Sequence, residues 1–308
     1  MDRLFVTGGS GLLGSNIAYL GSTRFETQFS YSAHPVTIQK CRSVKMDLRE
    51  PGEVRRVIED FRPHVVVHTA ALLPAKLCEE DPGLAQAVHV DGVKYLTETC
   101  KQVGAMLIHI STDWIFDGQK EYYNEDDPPK PLNEYGKSKS EGERVVQESG
   151  LNYCIIRTSL YGWNLRADKF CYPEMVLDRL EKREDFLAPD DQFFAPILVN
   201  ILAEAIFEIY AKRILGILNV TGTEAVTRYH FCRTVAEVFG LNKELIKSVS
   251  ISPDYFGVPI PKHQSLDVTK AKGLLDTKLP NICEGLSKMK YLCDSGYVSR
   301  LRGKERSF

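Results

Sequence analysis

Close to the N-terminus the apolar run Arg3-Leu4-Phe5-Val6-Thr7 breaks into Gly8-Gly9-Ser10-Gly11-Leu12-Leu13-Gly14. Leu12, Leu13, Ile17 and Leu20 then recur at helical spacing. A strand, a glycine turn and a helix in direct succession leave the backbone few alternatives. Gly9, Gly11 and Gly14 satisfy GxGxxG, while Gly8, Gly11 and Gly14 satisfy GxxGxxG. Glycine is required where the chain turns tightly and where a pyrophosphate approaches backbone with no Cβ in the way. The helix N-terminus behind the turn supplies free N–H groups and positive partial charge. A glycine-rich turn that binds nothing is the alternative, and the strand before and apolar helix after weigh against it. The turn is read as a dinucleotide cradle, with Gly8, Ser10, Gly11, Leu12, Leu13 and Gly14 as its binding residues.

A second pair of stretches carries chemistry. The apolar strand Met106-Leu107-Ile108-His109-Ile110 runs out into Ser111-Thr112-Asp113-Trp114-Ile115-Phe116-Asp117-Gly118. Shortly after comes Tyr135-Gly136-Lys137-Ser138-Lys139, opening a run of good helix formers that reaches about Ser149. Residues four apart share a helix face, so the Tyr135 phenol is expected beside the Lys139 ammonium. A nearby cation pulls a phenol pKa of about 10 downward. Thr112 offers a second hydrogen-bonding group to the same oxygen, and such a trio suits proton transfer to or from a carbonyl or alcohol oxygen. Tyr and Lys at this spacing also recur on many helices with no chemistry. The glycine turn and the Ser-Thr strand end are what single this pair out.

Taken together, these stretches resemble the extended short-chain dehydrogenase/reductases, and within them the dTDP-4-dehydrorhamnose reductase-like group. Ser-Thr-Asp-Trp-Ile-Phe-Asp-Gly followed by Pro-Leu-Asn-Glu-Tyr-Gly-Lys-Ser-Lys is a far more specific match than a bare YxxxK. The resemblance covers essentially the whole chain and is most specific over residues 5–162. It implies a doubly wound parallel sheet of Rossmann type, class α/β. The dinucleotide-binding domain would span 1–160, with 188–222 returning to it. A smaller substrate domain would come from 161–187 and 223–300, and 301–308 would be a tail. The implied activity is NADPH-dependent reduction of the 4-keto group of a nucleotide-activated deoxysugar. Tyr135 would give its proton to the developing alkoxide, Thr112 would hold that oxygen, and Lys139 would lower the phenol's pKa and bind the nicotinamide ribose. Asp113, Tyr161, Asn164 and Phe170 are the expected substrate contacts. The regulatory β subunit of methionine adenosyltransferase resembles the same group. That similarity implies a second reading, an NADP-binding subunit without turnover whose partner is a methionine adenosyltransferase catalytic subunit. A homodimer is the partner expected in the first reading.

Other positions refine these expectations. The window Ser30-Tyr31-Ser32-Ala33-His34 at the second strand's end lacks the acid that excludes a 2′-phosphate, which leans the cofactor towards NADPH with Ser32 or His34 as donors. No Arg clamp accompanies them. Val44 to Leu48 resembles the third strand, with Asp47 and Leu48 at adenine; Asp47 as a cap for the helix near Pro51 is the plain alternative. Val65-Val66-Val67 reads as a buried parallel strand ending in His68-Thr69-Ala70-Ala71, where Ala70 and Ala71 leave room for cofactor. One long helix is expected from about Asp81 to Val103, with His89 standing where many relatives have Asn. Phe194 stands where the group usually has Gly, and Ile260 where it has Arg. Thr227 to Phe239 reads as an amphipathic core helix.

With 39 basic against 41 acidic residues, nothing suggests a nucleic-acid or membrane-surface partner. No apolar run approaches the roughly 20 residues of a span, and the N-terminal residues lack a signal-peptide pattern. Eight scattered cysteines without a CxxC pair read as buried free thiols in the cytoplasm rather than a disulfide frame or metal site.

Overall fold

Seven short strands, the central ones dense in apolar and β-branched residues, pair into one all-parallel sheet. They are β1 (Arg3–Thr7), β2 (Glu26–Tyr31), β3 (Cys41–Lys45), β4 (Val65–His68), β5 (Met106–Thr112), β6 (Tyr153–Thr158) and β7 (Gly216–Asn219). The computed structural model describes residues 1–252 and 255–303. Strand order is β7-β6-β5-β4-β1-β2-β3, the doubly wound arrangement that the resemblance implied. Side chains alternate cleanly. Leu4, Val6, Val65, Val67, Ile108 and Ile156 face one core, while Phe5, Val66, Leu107 and Ile155 face the other. Sheets covered on both sides need such continuous apolar strands.

On the second face lie α2 (Pro51–Phe61), α3 (Gly92–Val103) and α4 (Glu134–Glu148). On the first lie α1 (Leu12–Gly21) and α6 (Val199–Ala211), joined by α5 (Tyr172–Glu181), α7 (Arg228–Phe239), α8 (Ile282–Asp294) and α9 (Tyr297–Leu301). Short strands stitch this half together. Leu160–Tyr161 pairs with Ile197–Leu198, Phe186–Pro189 with Ile246–Val249, and Phe193–Phe194 lies between Val226–Thr227 and His263–Gln264. The order reverses between β1 and β4, and in open α/β sheets ligands bind at that switch point, beyond the strands' carboxyl ends.

Three expectations about elements change. The third strand ends at Lys45, because Met46 and Leu48 turn into the core while Asp47 pairs with Arg49. Asp47 is not the helix cap; Glu50 holds that position. The helix expected over 81–103 is interrupted by a π turn at Ala87–Asp91, preceded by Pro82–Gln86. Finally, residues 301–303 are no loose tail. Leu301 is buried, and Arg302 donates to the Asn164 carbonyl at 3.0 Å. Residues 304–308 lie outside the described residues. All eight cysteines are free, and Cys283 and Cys293 are exposed rather than buried.

One polar contact locks α4 to the sheet. Arg157 of β6 donates to Glu143 of α4 at 2.8 Å, both side chains being 2% exposed. Arg157 also donates to the Glu125 carbonyl and lies over the Phe116 ring. Removing one partner strands a buried charge, so Glu143→Gln is expected to lower unfolding free energy by roughly 3–5 kcal/mol. Urea denaturation reads this, and the double substitution Arg157→Met with Glu143→Leu is expected to recover most of the loss.

Candidate active site

The glycine turn closes β1 onto α1. Gly8 adopts φ +70°, and a Cβ there would lie 2.8 Å from the Ala70 backbone. A Cβ on Gly14 would collide with the Gly8 carbonyl and stand 2.7 Å from the Thr69 hydroxyl. Helix α1 begins after Gly11 with no side-chain cap, so its first-turn N–H groups are unclaimed. A pyrophosphate fits such a cradle, since backbone donors converge where no side chain intrudes. Gly11 is exposed, Ser10 and Leu12 are half-buried, and Leu13 points into the core. Ala70 and Ala71 are half-buried across the crevice, and Ser32 and His34 are exposed at the end of β2. Asp47 is half-buried; the Arg49 guanidinium holds its carboxyl below the usual range. Leu48 packs against Gly92.

Farther along the sheet edge, Asn133 caps α4, its side-chain oxygen accepting from Gly136 N at 2.8 Å. A Cβ on Gly136 would collide with the Trp114 carbonyl; glycine lets the helix start press against the β5 exit. Tyr135 is thereby held edge-on against His89 and Trp114, each at a ring-centroid distance of 5.7 Å. The Thr112 hydroxyl lies near the phenol and pulls its pKa down, while itself donating to Asp113 Oδ1 at 3.1 Å. One turn on, Lys139 is buried and donates to the Ile110 carbonyl at 2.8 Å.

The electrostatics differ from the sequence expectation. Burial pushes the Tyr135 phenol up, Thr112 pulls the other way, and the Asp113 charge adds to the rise. Lys139 does not lower it, because its ammonium is committed to Ile110. Burial also pulls Lys139 down to about 8, against the opposing charge of Glu143. Both groups move toward their neutral forms, which is what desolvation alone dictates.

Two of the expected substrate contacts belong to the packing instead. Tyr161 is 1% exposed, its ring against Phe231 and its hydroxyl against Gly285. Asn164 is tied to Glu174 through both its amide and its backbone N–H. Phe170 is 52% exposed. Asp113, by contrast, lies beside Thr112 and is 2% exposed. Sequence reasoning passed over Arg228, which is 7% exposed at the start of α7. Its guanidinium lies 4.4 Å from the Phe194 ring, 4.7 Å from Phe256 and 5.0 Å from Tyr172. Its Nε donates to Gln192, which is held in turn by Gln264. The signal was present: Arg228 shares the helical stripe of Phe231, Cys232 and Val235. His89, the departure from Asn, accepts from Leu72 N and meets the Ser138 hydroxyl, both at 2.8 Å.

A doubly wound sheet, a glycine cradle at its switch point and Thr112, Tyr135 and Lys139 at the next strand exit define an extended short-chain dehydrogenase/reductase. The sequence profile of the RmlD substrate binding domain family matches residues 2–292, and the chain belongs to that family. Methionine adenosyltransferase 2 subunit beta of Pongo abelii is 31% identical over 281 residues, 88% of this chain and 82% of that protein. A hypothetical dTDP-4-dehydrorhamnose reductase from Sulfolobus tokodaii superposes with a TM-score of 0.80 at 29% identity, covering 91% of this chain and 97% of that one. The dTDP-4-dehydrorhamnose reductase of Bacillus anthracis in complex with NADP superposes at 0.82 and 25% identity, covering 94% and 99%. No helix among the described residues is long and apolar enough to cross a membrane.

The depressed Lys139 has a measurable consequence. Below about 8 the folded chain holds a buried charge that the unfolded chain solvates. Between that value and the ordinary Lys pKa of about 10.4 the unfolded state binds more protons, so this group's contribution to stability rises with pH. Urea denaturation of the parent against Lys139→Met is expected to show the parent gaining relative stability as pH rises across that window.

Proposed function

We propose that the protein is an NADPH-dependent reductase of a nucleotide-activated keto-sugar, acting on the 4-keto group of a deoxysugar. The observation that carries this reading is the convergence of Thr112, Tyr135 and Lys139 at a strand exit two strands from the glycine cradle. When bound, a reduced nicotinamide supplies a hydride. The chain's residues do the rest. The turn from Gly8 to Gly14, with Ser10, Leu12 and Leu13, holds the pyrophosphate. Ala70 and Ala71 line the crevice, Asp47 and Leu48 border the adenine, and Ser32 takes the 2′-phosphate. Lys139 exchanges the Ile110 carbonyl for a ribose hydroxyl, Thr112 orients the carbonyl oxygen, and Tyr135 protonates it. Segments 161–187 and 223–300 supply the substrate side, with Asp113 facing it from the catalytic edge. Eight free thiols suit a cytoplasmic protein.

A second reading, a non-catalytic NADP-binding subunit of a methionine adenosyltransferase, is favoured by two observations. The relative at 31% identity bears that name, and Phe194 fills space where the resemblance led us to expect Gly. Purified protein with NADPH is expected to consume a dTDP- or UDP-linked 4-keto-6-deoxysugar, read as loss of nicotinamide absorbance, with no second protein present. NADPH binding without turnover across a panel of keto-sugars, together with co-elution with a methionine adenosyltransferase catalytic subunit, would establish the second reading instead.

Tyr135→Phe keeps the ring packing and removes only the transferable proton. Turnover is expected to fall about 10²–10⁴-fold while NADPH affinity, read by fluorescence titration, stays near the parent's. NADPH is expected to bind roughly tenfold more tightly than NADH, about 1.4 kcal/mol, and a clear NADH preference would reverse the cofactor assignment.

A further inference from the structure

Two buried polar groups beside the reacting centre are left with unused hydrogen-bonding capacity. Asp113 Oδ1 accepts from Thr112 at 3.1 Å, while Oδ2 is buried with no hydrogen-bond partner. The Ser159 hydroxyl lies near this carboxyl without supplying Oδ2. Burial pushes the carboxyl up to about 7, against the pull of Thr112, Arg228 and Ser159, as expected of an acceptor short of donors. Arg228 is equally buried and donates through Nε to Gln192. Among the described residues, no acceptor takes a hydrogen bond from either of its Nη atoms. Its charge is felt at Asp113, yet no ion pair joins the two.

The two groups share a wall with the phenol. Trp114 stands edge-on to Tyr135 and to Phe256, with ring centroids 5.7 and 6.1 Å away. Phe256 in turn lies 4.7 Å from the Arg228 guanidinium. Rings thus run from the phenol to Arg228, and an unmet donor or acceptor against such a wall is costly. One chemical group answers both needs. A hydroxyl accepts from a guanidinium and donates its proton to a carboxylate oxygen. A ligand carboxylate or phosphate would satisfy Arg228 and be repelled by Asp113, and a methyl group would satisfy neither.

We propose that Arg228 and Asp113 together recognise a hydroxyl on the sugar carbon next to the reacting carbonyl, which makes Arg228 a specificity-determining residue. This inference rests on the reductase reading. The position follows from Thr112, which orients the carbonyl oxygen in that reading and contacts the other oxygen of the same carboxyl group. A ligand oxygen on Oδ2 is therefore one carboxyl width away, a spacing that suits substituents on adjacent ring carbons. The pair makes and breaks no bond. It holds the ring so that the carbonyl faces Tyr135.

Two pairs of probes test this, each made in dTDP- and UDP-linked form. The 4-keto-6-deoxyglucose conjugate and its 3-deoxy counterpart differ only in that hydroxyl and read turnover with NADPH. The 6-deoxyglucose conjugate and its 3-deoxy counterpart carry no carbonyl and read binding alone, by calorimetry. The parent is expected to favour the hydroxyl-bearing member about tenfold to hundredfold, in kcat/KM for the first pair and in Kd for the second. Arg228→Met fills the ring cage without donors, a kind of replacement that buried ions often tolerate. It is expected to lower that preference by about tenfold, weakening the hydroxyl-bearing member far more than the deoxy one, while NADPH affinity stays near the parent's. The parent's preference is read without any variant, and its absence is decisive even if Arg228→Met fails to fold. A parent that reduces both keto-sugars equally well overturns the hydroxyl recognition and leaves the reductase reading standing. A parent inert toward keto-sugars that still binds with the hydroxyl preference overturns the reductase reading alone. An Arg228→Met variant that keeps the parent's preference removes Arg228 from the site. Tighter binding of a glucuronate conjugate than of the glucose conjugate overturns the hydroxyl in favour of an anion.

Discussion

A single buried carboxylate, Glu143, stands between two cations and fixes the helix that carries the reactive groups. Arg157 reaches it from β6, and Lys139 feels its charge from one turn earlier on α4. Burying an ion pair costs several kcal/mol per ion before attraction repays it. The pair therefore need not make the fold more stable than an apolar contact of the same volume. What it supplies is register. The guanidinium fork accepts one placement of the carboxylate, and its other edge is held by the Glu125 carbonyl. With Glu143 placed, Lys139 falls beneath Ile110, and Tyr135 one turn before it falls beside Thr112. Gly136 and Asn133 then allow the helix start to press on the β5 exit.

Burial governs the electrostatics of that assembly. The phenol rises and the ammonium falls, each toward the form that carries no charge. Simple pairing of Tyr135 with Lys139 predicts the opposite for the phenol. Pairing wins only when the two charged atoms face each other. Here the Lys139 ammonium has a carbonyl partner at 2.8 Å, so desolvation is left unopposed. A ligand hydroxyl that replaced the Ile110 carbonyl would change this balance, which ties the acid's strength to occupancy of the site.

Legibility in the sequence followed how local the determining physics is. The glycine cradle is set by residues adjacent in the chain, and its positions read directly. The Tyr135–Lys139 spacing is a helix repeat, and the Val-rich strands are fixed by burial on both faces. By contrast, the role of Tyr161 depended on Gly285 and Phe231, more than a hundred and about seventy residues downstream respectively. Asn164 was claimed by Glu174, a short helix turn away in space but invisible as a pair. The π turn at Ala87–Asp91 likewise has no period to reveal it. Arg228 was hidden for a different reason. An arginine on an apolar stripe reads as a helix-end charge that snorkels to solvent, until the aromatic faces around it are known.

Those faces bear on whether the substrate side has been lost or rebuilt. Phe194, standing where glycine was expected, is the nearest of the three rings to the Arg228 guanidinium, so this departure and the buried cation form one feature. A site decaying into plain packing has no reason to keep a buried cation, because apolar replacements of buried ions are often neutral or stabilising by 1–4 kcal/mol. Here the cation is kept, and it is accommodated. Three rings, each worth roughly 0.5–2 kcal/mol as a cation–π partner, and the Gln192–Gln264 relay hold it in place. Its charge is felt at Asp113, next to the group that contacts Tyr135. The Phe194–Arg228 feature thus reaches toward the Thr112–Asp113 edge of the site.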